Sequence, residues 1–248
     1  MTSARERLIV ALDVATAIEA QEIVYELADS VAFYKVGLQL FTAEGPQIVS
    51  ELVASGRKVF LDLKLHDIPN TVAGAVKAAC ELGVHMLTVH AAGGSRMLNE
   101  AMKAAKAESV APLILAVTVL TSFSQSDLEQ SGVKADISHQ VRHLATLAKA
   151  AGCDGVVTSP HEAQALRSAL GLEMAIVTPG IRPTGSDAKD QSRVSTPASA
   201  IRAGASHLVV GRPIVGADNR LEAAKAILAE IESSLPAVEM EMAGKKPA

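Results

Sequence analysis

Two charged residues lie inside a mostly apolar run, KVFLDLKL, at positions 58–65, which itself begins with a lysine. Side chains alternate along a strand, so Asp62 and Lys64 share one face with Phe60, while the aliphatic residues occupy the other. Asp67 follows in the next loop. Burying a lone charge is costly, so charges in such a place indicate pairing or function. An ammonium group held between carboxylates can stabilise developing negative charge and deliver a proton, which is the chemistry of a catalytic site.

Two other apolar runs carry charges of the same kind. Lys35 lies in the run at 33–38, and Asp13 lies near the end of the run at 8–14. The carboxyl ends of parallel strands meet on one side of a sheet, where active sites are built. We therefore expect one site to contain Asp13, Lys35, Asp62, Lys64 and Asp67. The competing interpretation of any one of these residues alone is an ordinary salt bridge at the end of a strand.

Two segments near the end of the chain have features of a phosphate site. TPGIRP spans 178–183, and VVGRPI spans 209–214. Gly180 and Gly211 permit close approach of the backbone, and the guanidinium groups of Arg182 and Arg212 supply planar donors for an anion. A single Gly-Arg-Pro turn is weak support, but the two segments together predict a phosphate-binding site.

The remaining polar candidates are weaker. Thr121 and Ser122 follow an apolar run and could offer hydroxyl groups to a ligand, although a plain turn explains them equally well. His90 ends another run and is interpreted as a structural histidine rather than a ligand. No two histidines have the spacing of a metal site, and no dinucleotide or Walker motif is present. The motifs therefore predict no metal and no cofactor.

Eight apolar runs alternate with eight segments of helical spacing, which predicts a single-domain (β/α)8 TIM barrel over residues 1–235. The predicted strands are 8–14, 33–38, 58–65, 86–91, 112–120, 154–159, 173–179 and 207–213. The predicted helices are 16–29, 44–55, 70–82, 95–107, 137–151, 161–170, 196–203 and 219–234. An open doubly wound sheet is the alternative, but the glycine-rich turn it requires after the first strand is absent. Residues 236–248 are expected to be a frayed tail.

Composition excludes several classes of protein. The formal net charge is −4 and aromatic residues make up 2% of the 248 residues, which disfavours a nucleic-acid partner. Two cysteines are too few for a disulfide framework and fit a reducing compartment. The longest uncharged apolar stretch, 110–120, is too short to span a membrane, and the first apolar run breaks too early for a signal peptide. We expect a cytoplasmic protein with no membrane partner.

Several of these motifs together resemble the bacterial orotidine 5′-phosphate decarboxylase family. The segments that carry the resemblance are LDV at the first strand, YKVG at the second, DLKLHDIPNT at 62–71, VLTS at 119–122, TPGIRP, DQSR at 190–193 and VGRPI. The resemblance implies a (β/α)8 homodimer that converts orotidine 5′-phosphate to uridine 5′-phosphate and CO2 without metal or cofactor. Leu65 stands where phenylalanine is common in the family.

The resemblance also implies a role for each matching residue. Lys64 falls on the catalytic lysine, with Lys35, Asp62 and Asp67 as its partners, and Asp13 on the ribose-binding aspartate. Asp67, Ile68 and Thr71 correspond to residues that reach the neighbouring subunit's site, and Thr121 lies in the pyrimidine-contacting loop. The phosphate end corresponds to Arg182, Gln191, Gly211 and Arg212.

Two alternatives are kept for comparison. Metal-dependent sugar-phosphate decarboxylases and aldolases of the same barrel superfamily share the D-x-K-x-x-D pattern, but they resemble a metal site completed by a carboxylate where Lys35 stands. A non-catalytic sensor of a phosphorylated ligand would need Arg182 and Arg212 but neither Asp62 nor Lys64.

Overall fold

Eight parallel strands close into a barrel in the computed structural model, which describes residues 3–183 and 195–235. Each strand pairs with its neighbours in chain order, and the first strand pairs with the last. The predicted (β/α)8 barrel is therefore confirmed. The strands are β1 Leu8–Ala11, β2 Phe33–Gly37, β3 Lys58–Leu65, β4 Met86–His90, β5 Leu113–Val117, β6 Gly155–Val157, β7 Ala175–Thr178 and β8 His207–Val210.

Helices separate consecutive strands, and each predicted helix has a counterpart. The α-helices of the described ranges are α1 Ala4–Arg7, α2 Ala17–Leu27, α3 Leu38–Glu44, α4 Gln47–Ala54, α5 Pro69–Glu81, α6 Gly94–Lys106, α7 Gln125–Gln130, α8 Ile137–Ala150, α9 Pro160–Leu170, α10 Pro197–Arg202, α11 Arg212–Val215 and α12 Arg220–Glu232. Four of them, α1, α3, α7 and α11, are not predicted from the sequence. These have four to seven residues, too few for hydrophobic periodicity to be recognised.

Most of the observed strands are shorter than predicted, because the apolar runs continue beyond the residues that pair with a neighbouring strand. Leu12 follows the last residue of β1 but still donates its backbone N–H to the carbonyl of Lys35, at 2.9 Å. Thr118, after β5, likewise donates to the carbonyl of Val157 at 3.2 Å. An apolar run marks the residues that are buried. The buried residues continue past the last residue of each of these strands into the start of the following loop.

The two faces of the strands bury two separate apolar layers. Inside the barrel lies a cluster formed by Ile9, Ala11, Phe33, Phe60, Met86, Leu115, Val177 and Val209. The alternate residues, such as Val10, Val36 and Leu61, belong to the larger cluster that packs the barrel against the helices. The alternation predicted for β3 is confirmed, since Phe60 lies in the interior cluster and Val59 and Leu61 lie in the outer one. Side chains two positions after the interior cluster therefore point towards the carboxyl-terminal mouth of the barrel.

No helix in the described ranges is both long and apolar enough to cross a membrane. The predicted tail at 236–248 lies outside the described residues, so the domain limit at residue 235 stays a prediction.

Candidate active site

A cavity of about 310 Å³ collects most of the predicted site residues. Strands β1 to β3 and the segment that follows β1 contribute Asp13, Lys35, Asp62 and Lys64. The segments after β5, β7 and β8 contribute Thr121, Arg182, Gly211 and Arg212. Between these polar groups the wall is aliphatic, formed by side chains that include Val117, Val119, Val157 and Val209. Such a cavity suits a ligand with a flat apolar part and an anionic group.

Four of the charged side chains form a row in which the sign alternates. The ammonium group of Lys35 donates to Oδ1 of Asp13 at 2.7 Å and lies 3.7 Å from Oδ2 of Asp62. The other carboxylate oxygen of Asp62 accepts from Nζ of Lys64 at 2.8 Å. We call Asp13, Lys35, Asp62 and Lys64 the charged row. Every internal member of the charged row has an oppositely charged neighbour on each side.

Exposure falls sharply inside the charged row. The side chain of Asp13 is 56% exposed, whereas those of Lys35 and Asp62 are 10% and 12% exposed. Lys64 is intermediate, at 30%. Since a buried charge is tolerated when it is paired and hydrogen-bonded, the alternating signs are what allow Lys35 and Asp62 to stay inside the barrel.

The backbone at Lys64 is strained. Its φ of 52° lies in the left-handed region, which costs a residue with a side chain roughly 1–3 kcal/mol. The strain coincides with an irregularity in the β3–β4 pairing between Leu61 and Leu65. Thr88 of β4, which is fully buried, accepts from the backbone N–H of Lys64 at 2.8 Å and donates to Oδ1 of Asp62 at 3.0 Å. Strain that is held in this way is typical of a functional site.

Gly37, at the end of β2, leaves room for the first pair of the charged row. A Cβ atom at this position would lie 2.7 Å from Nζ of Lys35 and 3.2 Å from Oδ1 of Asp13. Both distances are below van der Waals contact. The absence of a side chain at Gly37 is therefore a steric condition for the Lys35–Asp13 contact.

Two histidines stand beside the charged row at the mouth. The rings of His66 and His90 are 5.3 Å apart between centroids. Burial lowers the pKa of His90, and the nearby His66 and Lys64 lower it further, while Asp62 opposes this shift. His90 is therefore neutral near pH 7 and adds no positive charge next to Lys64. Its interpretation as a structural residue stays a prediction.

Three predicted site residues lie apart from the cavity within this chain. Asp67, Ile68 and Thr71 are exposed, and the Ile68 side chain is among the most exposed large apolar groups of the described residues. A carboxylate oxygen of Asp67 accepts from the backbone N–H of Ile68 at 2.6 Å. None of the three lines the cavity. The role predicted for these three residues stays a prediction.

The two arginines differ in how they are held. Arg182 is buried and donates through Nη1 to the carbonyl of Ile181 at 3.2 Å. Arg212 is exposed and begins the short helix α11 directly after Gly211. Gly180 has a φ of 79°, a left-handed conformation that glycine adopts without strain, and it turns the chain towards Arg182. Gln191 lies outside the described residues.

Comparison with known proteins gives a consistent result. A family model described as "Orotidine 5'-phosphate decarboxylase / HUMPS family" matches residues 6–227. The chain is 51% identical over 235 residues to the orotidine 5′-phosphate decarboxylase of Moorella thermoacetica, which covers 92% of this chain and 93% of that protein. The protein of the same name from Carboxydothermus hydrogenoformans is 51% identical over 234 residues, covering 93% and 98% respectively. This chain belongs to the orotidine 5′-phosphate decarboxylase / HUMPS family.

Structural similarity supports the same family assignment. The crystal structure of the orotidine 5′-phosphate decarboxylase from Lactobacillus acidophilus superposes with a TM-score of 0.81 at 41% identity. The match covers 90% of this chain and 98% of that one. The barrel and its connections are therefore those of the decarboxylase family.

Two residues of the site are not predicted from the sequence. Thr88 lies on the interior face of β4 between Met86 and His90, and a buried hydroxyl on that face could have drawn attention to it. Gly37 shares a face with Lys35, and only the distance to its neighbours reveals that a side chain there would collide. Neither residue carries a charge, which is the property that singles out the four members of the charged row.

Proposed function

We propose that this chain removes CO2 from orotidine 5′-phosphate to give uridine 5′-phosphate in pyrimidine biosynthesis. The observation that carries the proposal is that the charged row and the two arginines, Arg182 and Arg212, line one cavity. The first set suits a reaction that develops negative charge on carbon, and the second suits a phosphate group. Family membership and the names of its relatives agree with this reaction.

In the proposed reaction, Lys64 acts directly on the reacting carbon. When the bond between C6 of the pyrimidine and the carboxylate breaks, CO2 leaves and the electron pair stays on C6 in an orbital without an adjacent sink. The ammonium group of Lys64 stabilises this carbanion electrostatically and then donates a proton to C6, which forms uridine 5′-phosphate. The neutral amine of Lys64 regains its proton from water. Asp62 holds the ammonium group in place, and Lys35 contacts the other oxygen of Asp62.

One ammonium group is not sufficient for the whole rate enhancement. At about 4 Å and an effective dielectric constant of about 20, its attraction to a unit negative charge is on the order of 4 kcal/mol. Enzymes typically lower barriers by ~8–23 kcal/mol. The remainder must come from the fixed geometry of the charged row and from the binding energy of the distant phosphate.

The other cavity residues bind the rest of the substrate in this proposal. Arg182, Arg212 and Gly211 bind the phosphate, together with Gln191. The exposed carboxylate of Asp13 accepts hydrogen bonds from the ribose hydroxyl groups, and Thr121 contacts the pyrimidine edge. Each role pairs a donor or acceptor with the complementary group on the nucleotide.

We further propose that the active form is a cytoplasmic homodimer. Asp67, Ile68 and Thr71 would then extend into the site of the neighbouring subunit, which explains why Asp67 lies outside the charged row of its own chain. Exposure of a large apolar side chain at Ile68 supports burial against a partner. The free thiols of Cys80 and Cys153 are both buried, which suits a reducing compartment.

The metal-dependent sugar-phosphate enzymes remain the closest alternative, since the HUMPS branch shares the family model. In those enzymes a carboxylate is expected where this chain has Lys35. An ammonium group 3.7 Å from Asp62 repels a divalent cation from that carboxylate. The charged row therefore favours decarboxylation of the nucleotide without a metal.

One assay separates these possibilities. The purified chain is incubated with orotidine 5′-phosphate, with and without EDTA, and the ultraviolet absorbance of the pyrimidine is followed. We expect the absorbance to fall at the same rate in both samples. Conversion that EDTA abolishes would favour a metal-dependent reaction, and tight binding without conversion would favour a sensor. Absence of both binding and conversion would overturn the proposal.

A further inference from the structure

Thr88 lies where strands β3 and β4 fall out of register. Leu61 pairs with Leu87 and Leu65 pairs with Val89, so three residues of β3, 62–64, lie opposite the single residue Thr88. This segment contains both Asp62 and Lys64. The extra length on β3 bends the strand and places the Lys64 backbone in the left-handed region.

A single hydroxyl group contacts both charged residues. Oγ1 of Thr88 accepts from the backbone N–H of Lys64 at 2.8 Å, and its proton is donated to Oδ1 of Asp62 at 3.0 Å. Thr88 itself is fully buried. A hydroxyl group has one proton, so this pattern commits it to Asp62 and orients its lone pair towards Lys64.

The hydroxyl group decides the orientation of the Asp62 carboxylate. Oδ1 accepts hydrogen bonds from Oγ1 of Thr88 and from Nζ of Lys64. Oδ2 therefore faces the ammonium group of Lys35. Without the hydroxyl group, Oδ1 loses one of these two donors. The backbone N–H of Lys64, a residue in the left-handed conformation, loses its acceptor as well. Both ends of the Asp62–Lys64 pair would then be free to shift.

We propose that Thr88 is a positioning residue for the decarboxylation, an inference that rests on the proposed function. Thr88 is not among the described residues that line the cavity, so it acts through Asp62 and Lys64 rather than on the substrate. Its effect belongs to the chemical step, because the groups that it holds face the reacting carbon and not the phosphate. Displacement of a catalytic group by about 1 Å can reduce a rate roughly 100-fold.

The test compares three variants with the parent enzyme. Thr88→Val preserves the shape of the side chain and removes the hydroxyl group, and Thr88→Ser preserves the hydroxyl group. Thr118→Val is the matched control, because Thr118 is also buried and its hydroxyl group donates to the carbonyl of Val157 at 3.0 Å. Each protein is assayed for kcat and KM with orotidine 5′-phosphate, for binding of uridine 5′-phosphate and for its melting temperature.

We expect Thr88→Val to lower kcat roughly 100-fold while KM and product binding change less than about 5-fold. Thr88→Ser should recover kcat to within about 5-fold of the parent, and Thr118→Val should melt earlier with an unchanged kcat. Thr88→Ala replaces Thr88→Val, with the same expected loss of kcat, if the valine variant does not fold.

Two results would overturn the inference: a normal kcat in the folded variant without the hydroxyl group, or a Thr88→Ser enzyme with a kcat loss equal to that of Thr88→Val. A parent enzyme that does not convert orotidine 5′-phosphate would instead overturn the proposed function. The parent therefore separates failure of the reaction from failure of the role of Thr88.

Discussion

The two ends of the barrel both bury titratable side chains, but they treat them differently. At the carboxyl-terminal mouth, Lys35 and Asp62 have oppositely charged partners on both sides. At the amino-terminal end, which we call the base, the titratable groups near Phe33 are Glu6, Lys58, His85 and His207. Two of the charged side chains at the base, Lys58 and Glu6, make a half-exposed contact of 3.2 Å. The side chain of His207 is partly buried, and its buried Nδ1 has no hydrogen-bond partner among the described residues.

Burial has opposite consequences for charge at the two ends. Burial, together with smaller contributions from the nearby Arg7 and Lys58, lowers the pKa of His207 to about 4, so the imidazole stays neutral near pH 7. At the mouth, the alternating partners allow charges to remain inside the barrel. The mouth therefore keeps paired charges inside the barrel, where the proposed reaction uses them, whereas the imidazole of His207 at the base is neutral. Substitutions at the mouth should change turnover more than folding, and changes at the base should do the reverse.

The largest effect is expected for Lys64→Ala at the mouth. In the proposed mechanism this variant loses both the charge that stabilises the carbanion and the proton donor, so kcat should fall roughly 10⁴-fold or more. Binding of uridine 5′-phosphate should persist, because the groups that bind phosphate are unchanged. Lys103→Ala is the control, since this lysine is exposed and 3.9 Å from Glu100. Turnover by Lys64→Ala within 10-fold of the parent would remove Lys64 from the catalytic role.

Arg212→Ala tests whether the phosphate contributes to the chemistry of the mouth. We expect KM to rise and kcat/KM to fall roughly 100-fold, because binding energy at the phosphate is used at the pyrimidine ring. The exposed Arg142 provides a control through Arg142→Ala, which should behave like the parent. With orotidine, which lacks the phosphate, parent and variant should react equally slowly. A larger loss with orotidine than with its phosphate would contradict the assignment.

The titration of His207 at the base should make the free energy of unfolding depend on pH. The pKa of His207 is about 4 in the folded chain and about 6.5 when unfolded. Between these values the unfolded state binds the proton first, so the free energy of unfolding falls as pH is lowered through this window. At pH 5 the loss from this group is about 2 kcal/mol relative to pH 7. Urea titrations should show a smaller loss for His207→Gln, and equal losses in the two proteins would refute the effect.

Gly37→Ala is expected to have the smallest effect of the four. The new methyl group displaces the flexible Lys35 ammonium group from Asp13, so kcat/KM should fall roughly 10-fold, equivalent to about 1.4 kcal/mol. Gly74→Ala in α5 is the matched control, because a methyl group there would have no neighbouring side chain within 4 Å. The control should retain activity and gain about 0.5–1 kcal/mol of stability. Equal activity of the two variants would show that Lys35 tolerates displacement.

Most of the mouth could be predicted because strand periodicity is a local property. Phe60, Asp62 and Lys64 share a face by alternation alone, and the same rule places Lys35 above Phe33. The assumption of a regular strand failed at Lys64, where the β3–β4 pairing is irregular and φ is 52°, although Lys64 still lines the cavity with Asp62. That irregularity depends on a neighbouring strand more than 20 residues away, as the contact between Lys64 and Thr88 shows.

The order and types of residues were enough to establish the barrel, its interior face and the charges that belong at its mouth, because burial and alternation follow from each segment's own composition. Folding in three dimensions established the partner of each charge, the contacts of Thr88 and the space beside Gly37. These depend on register and distance between strands that are remote in the chain, and no segment contains that information alone.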